Sequence, residues 1–169
     1  RSTLFPYTTL FRSTNRNVAM GNPTAGREKV LEALSEARCD EILDKFPERE
    51  NTIIGSKGVH LSGGEIQRIA IARAILKDAP IIILDEASAA ADPENEYEIQ
   101  RAFSSLMKDK TVIMIAHRLT SIRNVDEILV VDRGKIIERG TDEELMKLNG
   151  KYAMLQNMFR KANDWRVYD

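Results

Sequence analysis

HLSGGEIQRIAIAR, residues 60–73, is the stretch that decides the fold. The run after its Ser-Gly-Gly-Glu core at 62–65 has apolar residues on more than one face, which predicts a buried helix over 65–76. Glycine is a poor helix former, so two glycines where a helix begins need another reason. A helix N-terminus carries unpaired N–H groups and partial positive charge, and glycines let an anion approach closely. The turn is therefore a candidate phosphate site, although an isolated Ser-Gly-Gly is more often a plain helix cap.

Downstream lies a short all-apolar run, Ile81–Leu84, that ends in Asp85 and Glu86. Such a run predicts a strand buried on both faces of a parallel sheet, with the two carboxylates at the edge where α/β sheets place ligands. Asp85 can hold Mg²⁺ through water, and Glu86 can act as general base toward an attacking water or orient it. A lone Asp-Glu pair is more often a solvated helix cap. The preceding strand and the upstream turn favour the functional interpretation.

A second predicted buried strand, residues 111–115, is followed by His117. A histidine at the ligand edge of the sheet can contact a γ-phosphate and help to hold the attacking water. A lone histidine is more often structural, and we interpret His60 in that way. His117 has a functional interpretation only in combination with Asp85 and Glu86.

The remaining segments alternate between predicted helices and strands, which indicates an α/β sheet protein. Helices are predicted over 27–45 (one or two), from Asp92-Pro93, from a capping box at 141–144, and over 152–162; strands are predicted over 128–131 and 135–137, joined by a turn at Arg133-Gly134.

Composition excludes several classes of protein. With 25 basic and 26 acidic residues, the net charge is -1, and the chain lacks the basic excess of a nucleic-acid binder. The single Cys39 excludes an internal disulfide and a multi-cysteine zinc site. The longest apolar run, 79–84, is much shorter than the roughly 20 residues that span a bilayer.

Residues 1–13, RSTLFPYTTLFRS, stand apart from the rest of the chain. They contain Thr-Leu-Phe twice and resemble the translation of a sequencing-library adapter. We expect them to be a cloning or assembly artefact, in which case the natural protein extends further upstream. The alternative is an ordinary terminus.

Several motifs together carry a resemblance to one family. Residues 61–92 resemble the signature motif, Walker B strand and D-loop of ABC-transporter ATPase domains, and AHRLTSI at 116–122 resembles their switch-histidine segment. Their order and spacing agree, and the resemblance runs over about 16–159. TIIGSKG at 52–58 resembles the loop that touches the coupling helices of the membrane domain, and 134–156 resembles the C-terminal end of exporter-type members.

The resemblance implies ATP and Mg²⁺ as ligands, with two domains enclosing two nucleotides head to tail. The implied γ-phosphate contacts for the partner's site are Ser62, Gly63, Gly64 and Glu65. The residues implied to serve the chain's own site are Asp85 for Mg²⁺ and Glu86 and His117 for catalysis. Asp92 of the D-loop is a further implied nucleotide-binding residue.

The implied fold is a partial P-loop NTPase. Residues 14–76 would be a segment of the helical signature subdomain, and 77–169 the C-terminal half of the parallel-sheet catalytic core. No G-x-x-x-x-G-K-[ST] string occurs in the sequence. The nearest string, 21–28, has Arg and Glu in place of Lys and Ser/Thr and is a chance match. We therefore expect the Walker A segment to lie outside this chain.

Two positions depart from the family pattern. The common Ser-Ala-Leu-Asp of the D-loop reads Ala-Ala-Ala-Asp at 89–92, which keeps Asp92 but lacks the serine hydroxyl. In the 52–58 loop, Ser56 replaces the usual glutamate. These departures bear on communication between sites and on contacts with the membrane domain.

The resemblance implies a fragment of the ATP-hydrolysing subunit of an exporter-type transporter, on the cytoplasmic face of a membrane. The implied partners are a second ATPase domain and the coupling helices of a transmembrane domain, and no nucleic acid. One alternative is a soluble, non-transporting ATPase of the same superfamily. Another is that the chain as written is inactive, because ATP has lost its main anchor.

Overall fold

The computed structural model describes residues 13–55, 58–85, 93–116 and 125–165. The chain divides into two compact units, one up to Met114 and one from Ile115 onward, and each has its own core. The first unit contains α1 (Thr14–Ala19), α2 (Arg27–Glu36), α3 (Asp40–Asp44), a 3-10 turn (Arg49–Asn51), α4 (Gly63–Lys77), β1 (Ile81–Asp85), α5 (Pro93–Met107) and most of β2 (Thr111–Ile115). The second contains β3 (Ile128–Asp132), β4 (Lys135–Gly140), α6 (Asp142–Leu148) and α7 (Lys151–Trp165). The predicted division between residues 76 and 77 stays a prediction.

The long helix α4 is the centre of the first unit and packs against α1, α2 and α5. The prediction that this helix is buried is confirmed, since most of its side chains are shielded from solvent. It begins at Gly63, two residues before the predicted start, because Ser62 caps it and both glycines enter the first turn. The core around it includes the fully buried Val18, Leu34, Ile71 and Leu106.

The segment 27–45 forms two helices, which the sequence left open. Arg38 has a left-handed backbone (φ 58°) and separates α2 from α3. The next residue, Cys39, is buried at the start of α3, and its Sγ lies 3.6 Å from the carbonyl oxygen of Ala37. Burial raises the pKa of this thiol to about 12.

β1 and β2 are hydrogen-bonded neighbours connected through α5, as in a parallel βαβ unit. The prediction that β1 is buried on both faces is wrong for this chain. Alternate residues are buried (Ile82 and Leu84) and exposed (Ile81, 58%, and Ile83, 61%). The reason is that Ile82 and Leu84 join the core of the first unit, whereas the opposite face is left uncovered.

β2 was also predicted to be buried, and it is only partly so. Val112 and Met114 pack against the core that β1 joins, while Ile113 on the alternate face is exposed. The period-two alternation of strands explains the pattern, because a single covered face shields every second side chain.

The predicted hairpin of the second unit is confirmed, with longer strands than expected. β3 and β4 pair antiparallel, with a bulge between Val130 and Val131. The turn residues Arg133 and Gly134 both have positive φ (47° and 76°), as a two-residue turn matching the strand twist requires.

The predicted capping box at 141–144 is also confirmed. The Thr141 side chain accepts from the Glu144 backbone N–H, and the Glu144 carboxylate accepts from the Thr141 backbone N–H at 2.8 Å. This cap starts α6, whose buried Leu145 packs with Tyr152 of α7 and with the buried face of β3. The last helix, α7, begins one residue before the prediction and ends three residues after it.

Over the described ranges, no helix is both long enough and apolar enough to cross a membrane.

Paired core and surface substitutions test the one-sided burial of β1. We expect Ile82→Ala to lower the free energy of unfolding by about 2–5 kcal/mol, because Ile82 is buried on the face of β1 that joins the core. Ile83→Ala removes a side chain of similar size from the exposed face and is expected to change that free energy by about 0.5 kcal/mol or less. Urea denaturation of the chain measures both. Equal losses would mean that the Ile83 face is covered.

Candidate functional site

The Ser-Gly-Gly turn is a fully formed helix cap. Ser62 has an extended backbone (φ −64°, ψ 162°), and its Oγ accepts a hydrogen bond from the Glu65 N–H at 3.2 Å. The Glu65 carboxylate in return accepts from the Ser62 N–H at 2.7 Å. This reciprocal pair is a capping box, so the first turn of α4 is held in place before any ligand arrives.

The two glycines serve different purposes. Gly63 is exposed, and a Cβ added to it would meet nothing within 4 Å. Gly64 is buried, and a Cβ added there would lie 3.1 Å from the Cβ of Asn95 on α5. Gly63 therefore leaves the open end of the helix accessible, whereas Gly64 allows the helix to pack closely against α5.

Glu65 is buried beneath the turn, and its carboxylate is in use. Besides the bond to Ser62, it accepts a hydrogen bond from the Lys45 Nζ at 2.6 Å, which forms an ion pair. Burial raises the pKa of the Glu65 carboxyl, but the hydrogen bonds from Lys45 and Ser62 together lower it by more, and the net pKa is below the ordinary value. The carboxylate is thus ionised and neutralised by Lys45 at neutral pH.

One helical turn further along α4, Arg68 buries its guanidinium almost completely (1% exposed). Its Nη1 donates to the Arg38 carbonyl oxygen at 2.8 Å and to the Glu41 carboxylate at 2.6 Å. Its Nη2 donates to the Asn95 Oδ1 at 3.2 Å. Within the described part of the chain, Nε of Arg68 has no hydrogen-bond partner. The buried charge of Arg68 is therefore stabilised by three groups: the Asn95 amide oxygen from α5, the Glu41 carboxylate from α3, and the carbonyl oxygen of Arg38, which lies between α2 and α3.

The predicted site residues are placed as follows. Ser62 and Gly63 are exposed at the start of α4, and Asp85 is the exposed last residue of β1. His60, which we interpreted as structural, is exposed. Four further positions lie outside the described residues, namely Ser56, Glu86, Asp92 and His117.

Ser62 and Gly63 together offer donors to an anion. The first N–H groups of α4 have no intrahelical partner, and the Ser62 hydroxyl can rotate its hydrogen toward an incoming oxygen. The positive end of the helix dipole adds to the attraction for phosphate. Among the described side chains, no cluster of three or more His, Cys, Asp or Glu could hold a metal ion. The exposed Asp85 carboxylate is of the type that can hold Mg²⁺ through water ligands.

Sequence reasoning missed the side chains that support the turn, which are Lys45, Arg68 and Asn95. No local pattern connects them, because Lys45 follows α3, Arg68 lies on α4 and Asn95 lies on α5. One available signal was an arginine on a helix that has apolar residues on more than one face.

Comparison with known proteins relates the chain to one family. The sequence model of the ABC transporter family matches residues 2–89. The match begins inside the stretch 1–13, so our expectation that this stretch is an artefact stays a prediction.

Relatives are similar over most of the chain. The ATP-dependent lipid A-core flippase of Neisseria meningitidis serogroup A is 52% identical over 145 residues, which are 86% of this chain and 23% of the flippase. The flippase of the same name from Idiomarina loihiensis is 49% identical over 154 residues, covering 90% and 26%. The chain thus spans about a quarter of the length of these relatives.

A solved structure agrees in fold. A bacterial Atm1-family ABC exporter with ATP bound superposes with a TM-score of 0.76 and 36% sequence identity, covering 88% of this chain and 26% of the exporter. The fold predicted from the motifs, a partial ABC-type P-loop NTPase, is therefore confirmed.

The charge on Glu65 generates a pH prediction. Since its folded pKa is lowered, the carboxylate stabilises the fold fully above the ordinary pKa of 4.5, and this contribution is lost as the pH falls through the lowered folded value. Glu65→Gln keeps a capping side chain but not the charge, so its deficit in stability relative to the original chain should be present at pH 7 and shrink below about pH 4.5. Thermal unfolding across pH measures this.

Glu143→Gln is the matched control, because Glu143 pairs with Lys147 on the exposed surface of α6. The loss of stability caused by Glu143→Gln should be small at every pH, because exposed ion pairs contribute little. A Glu65→Gln deficit that is the same at acidic and neutral pH would contradict the role of the ionised carboxylate.

Proposed function

This chain belongs to the ABC transporter family, and from that premise we propose that its parent protein is the ATP-hydrolysing subunit of an exporter-type transporter. The parent converts ATP and water to ADP and phosphate and uses the energy to move a substrate across a membrane. The observation that carries this proposal is the preformed turn at Ser62 and Gly63, open to solvent at the positive end of a buried helix. The ATP-dependent flippases among the relatives, at about half identity, and the Atm1-family ABC exporter, at 36% identity, support the same assignment.

The turn acts on a nucleotide that a second ATPase domain holds. Ser62 and Gly63 donate hydrogen bonds to the γ-phosphate, and no side-chain charge of the turn opposes this, because Lys45 neutralises Glu65. Gly64 and Glu65 stay part of the proposed phosphate site, and because both are buried they also support the turn from beneath. The site is completed only when two domains meet head to tail.

The end of β1 serves the chain's own nucleotide. Asp85 is exposed at the carboxyl end of the strand, where a carboxylate can hold water ligands of Mg²⁺. Bound Mg²⁺ neutralises phosphate charge. Glu86, the next residue, activates or orients the attacking water, and His117 contacts the γ-phosphate. Asp92, in the D-loop, is a further nucleotide-binding residue.

The parent places this domain on the cytoplasmic face of a membrane. The segment 52–58 contacts the coupling helices of the transmembrane domain, and the half-exposed Ile53 offers this loop an apolar contact. Lipid A-core is part of the names of the relatives and is not assigned to this chain. In the proposed parent, membrane segments outside this chain bind the transported substrate.

A glutamine substitution tests the catalytic assignment. In the complete parent, Glu86→Gln should lower ATP turnover by about 10²–10⁴-fold, the usual contribution of a general base, while ATP still binds. Phosphate release and nucleotide binding are measured on the same preparation, with Glu143→Gln on the surface of α6 as a control. Full turnover in Glu86→Gln would refute the role of Glu86.

ATP binding by the chain alone is a separate test. The sequence contains no phosphate-loop lysine, so we expect isothermal titration to find no saturable binding at micromolar ATP. The complete parent, titrated in parallel, should bind. Micromolar affinity of the chain alone would show that the main anchor for ATP lies within these residues.

A further inference from the structure

Asn95 touches the first two turns of α4 at two points on one face. Gly64 and Arg68 are four residues apart, so they lie one above the other on the helix. The Asn95 side chain is in close contact with the Gly64 position and accepts the hydrogen bond from Arg68 Nη2. It thus lies against α4 at Gly64, the last residue of the Ser62–Gly64 turn.

We propose that Asn95 is a positioning residue for the phosphate-binding turn: by receiving Arg68 and packing on Gly64, it fixes where Ser62 and Gly63 present their donors. This inference rests on the function proposed above and deepens it. Asn95 does not contact the nucleotide itself. Its effect on the reaction passes through the start of α4.

The buried charge makes this contact specific. Arg68 is 1% exposed, whereas the Glu41 side chain that also pairs with it is 61% exposed and can exchange the bond for water. Asn95 is only partly exposed. Water can therefore replace the amide oxygen of Asn95 less readily than it can replace the exposed carboxylate of Glu41. Removing the Asn95 acceptor therefore leaves a buried N–H unsatisfied, which the helix can relieve only by moving.

The close approach at Gly64 turns such a movement into a displacement of the turn. A Cβ added at Gly64 would lie only 3.1 Å from the Cβ of Asn95, so little free space separates α4 from α5 there, and a shift between the helices at Asn95 displaces Gly64 as well. Ser62 and Gly63 are the two residues immediately before Gly64. A donor displaced by about 1 Å can reduce a rate by about a hundredfold without any change at the chemistry itself.

The experiment compares three variants of the complete parent transporter. Asn95→Ala removes the acceptor and should lower kcat for ATP about tenfold, the effect of losing one hydrogen bond to a charged group. ATP affinity, measured by equilibrium titration, should change by less than about twofold, because the partner domain holds the nucleotide. Asn95→Asp keeps an acceptor oxygen and should restore most of kcat. Ser104→Ala, on the exposed surface of the same helix, should match the original protein.

A double substitution separates positioning from general stability. If Asn95 acts through the turn, then the loss of kcat in Ser62→Ala combined with Asn95→Ala should be smaller than the product of the two single losses, because both substitutions act on the same turn. All rates are taken well below the thermal midpoint of each variant. Multiplying effects, an unchanged kcat in Asn95→Ala, or no rescue by Asn95→Asp would each overturn the proposal.

The same preparations distinguish failure of this inference from failure of the proposed function. If the original parent hydrolyses ATP and Glu86→Gln does not, the function stands, and the Asn95 variants decide the inference. If the original parent has no ATPase activity, or Glu86→Gln retains it, the proposed function fails first and the inference falls with it.

Discussion

The buried guanidinium of Arg68 is the constraint on which the first unit depends. A charge withdrawn from water loses several kcal/mol of solvation, and the loss is offset only if its donors are matched by acceptors in good geometry. Here the acceptors come from the Arg38 carbonyl, Glu41 and Asn95. The relative placement of α3, α4 and α5 is therefore fixed by one side chain more narrowly than apolar packing alone requires.

This constraint extends to the candidate site because the site stands on the same helix. The capping box between Ser62 and Glu65 holds the exposed Ser62 and Gly63 in place only if the helix itself does not shift. The capping box sets the local shape of the turn, and Arg68 with Gly64 sets its position against α5. The local shape of the turn and its position are thus controlled by different residues. Ser62 and Gly63 can face a ligand because Gly64 and Arg68 hold the helix against α5.

The limits of sequence reasoning follow the same division. Capping boxes, the hairpin turn at Arg133-Gly134 and the central helix have local signals, and the structure contains them. Burial on both faces of β1 was predicted from four aliphatic residues. That pattern indicates which side chains the strand is able to bury, but burial of the second face also requires another element to pack on it.

The support of the turn by Lys45 and Asn95 joins segments far apart in the chain, so no short window of sequence contains it. Ser62, Gly63, Gly64 and Glu65 were found together from one motif, yet only the three-dimensional contacts divide them into an exposed pair and a buried pair.

The buried Cys39 has a practical consequence for following motion in this domain. A thiol whose pKa is about 12 is almost entirely protonated at neutral pH, and the thiolate is the form that reacts with maleimides and iodoacetamides. A cysteine introduced on the exposed surface, for example at Ser104, would therefore be labelled while Cys39 stays silent. Fluorophores or spin labels can be attached at chosen positions without first removing the native cysteine from the core.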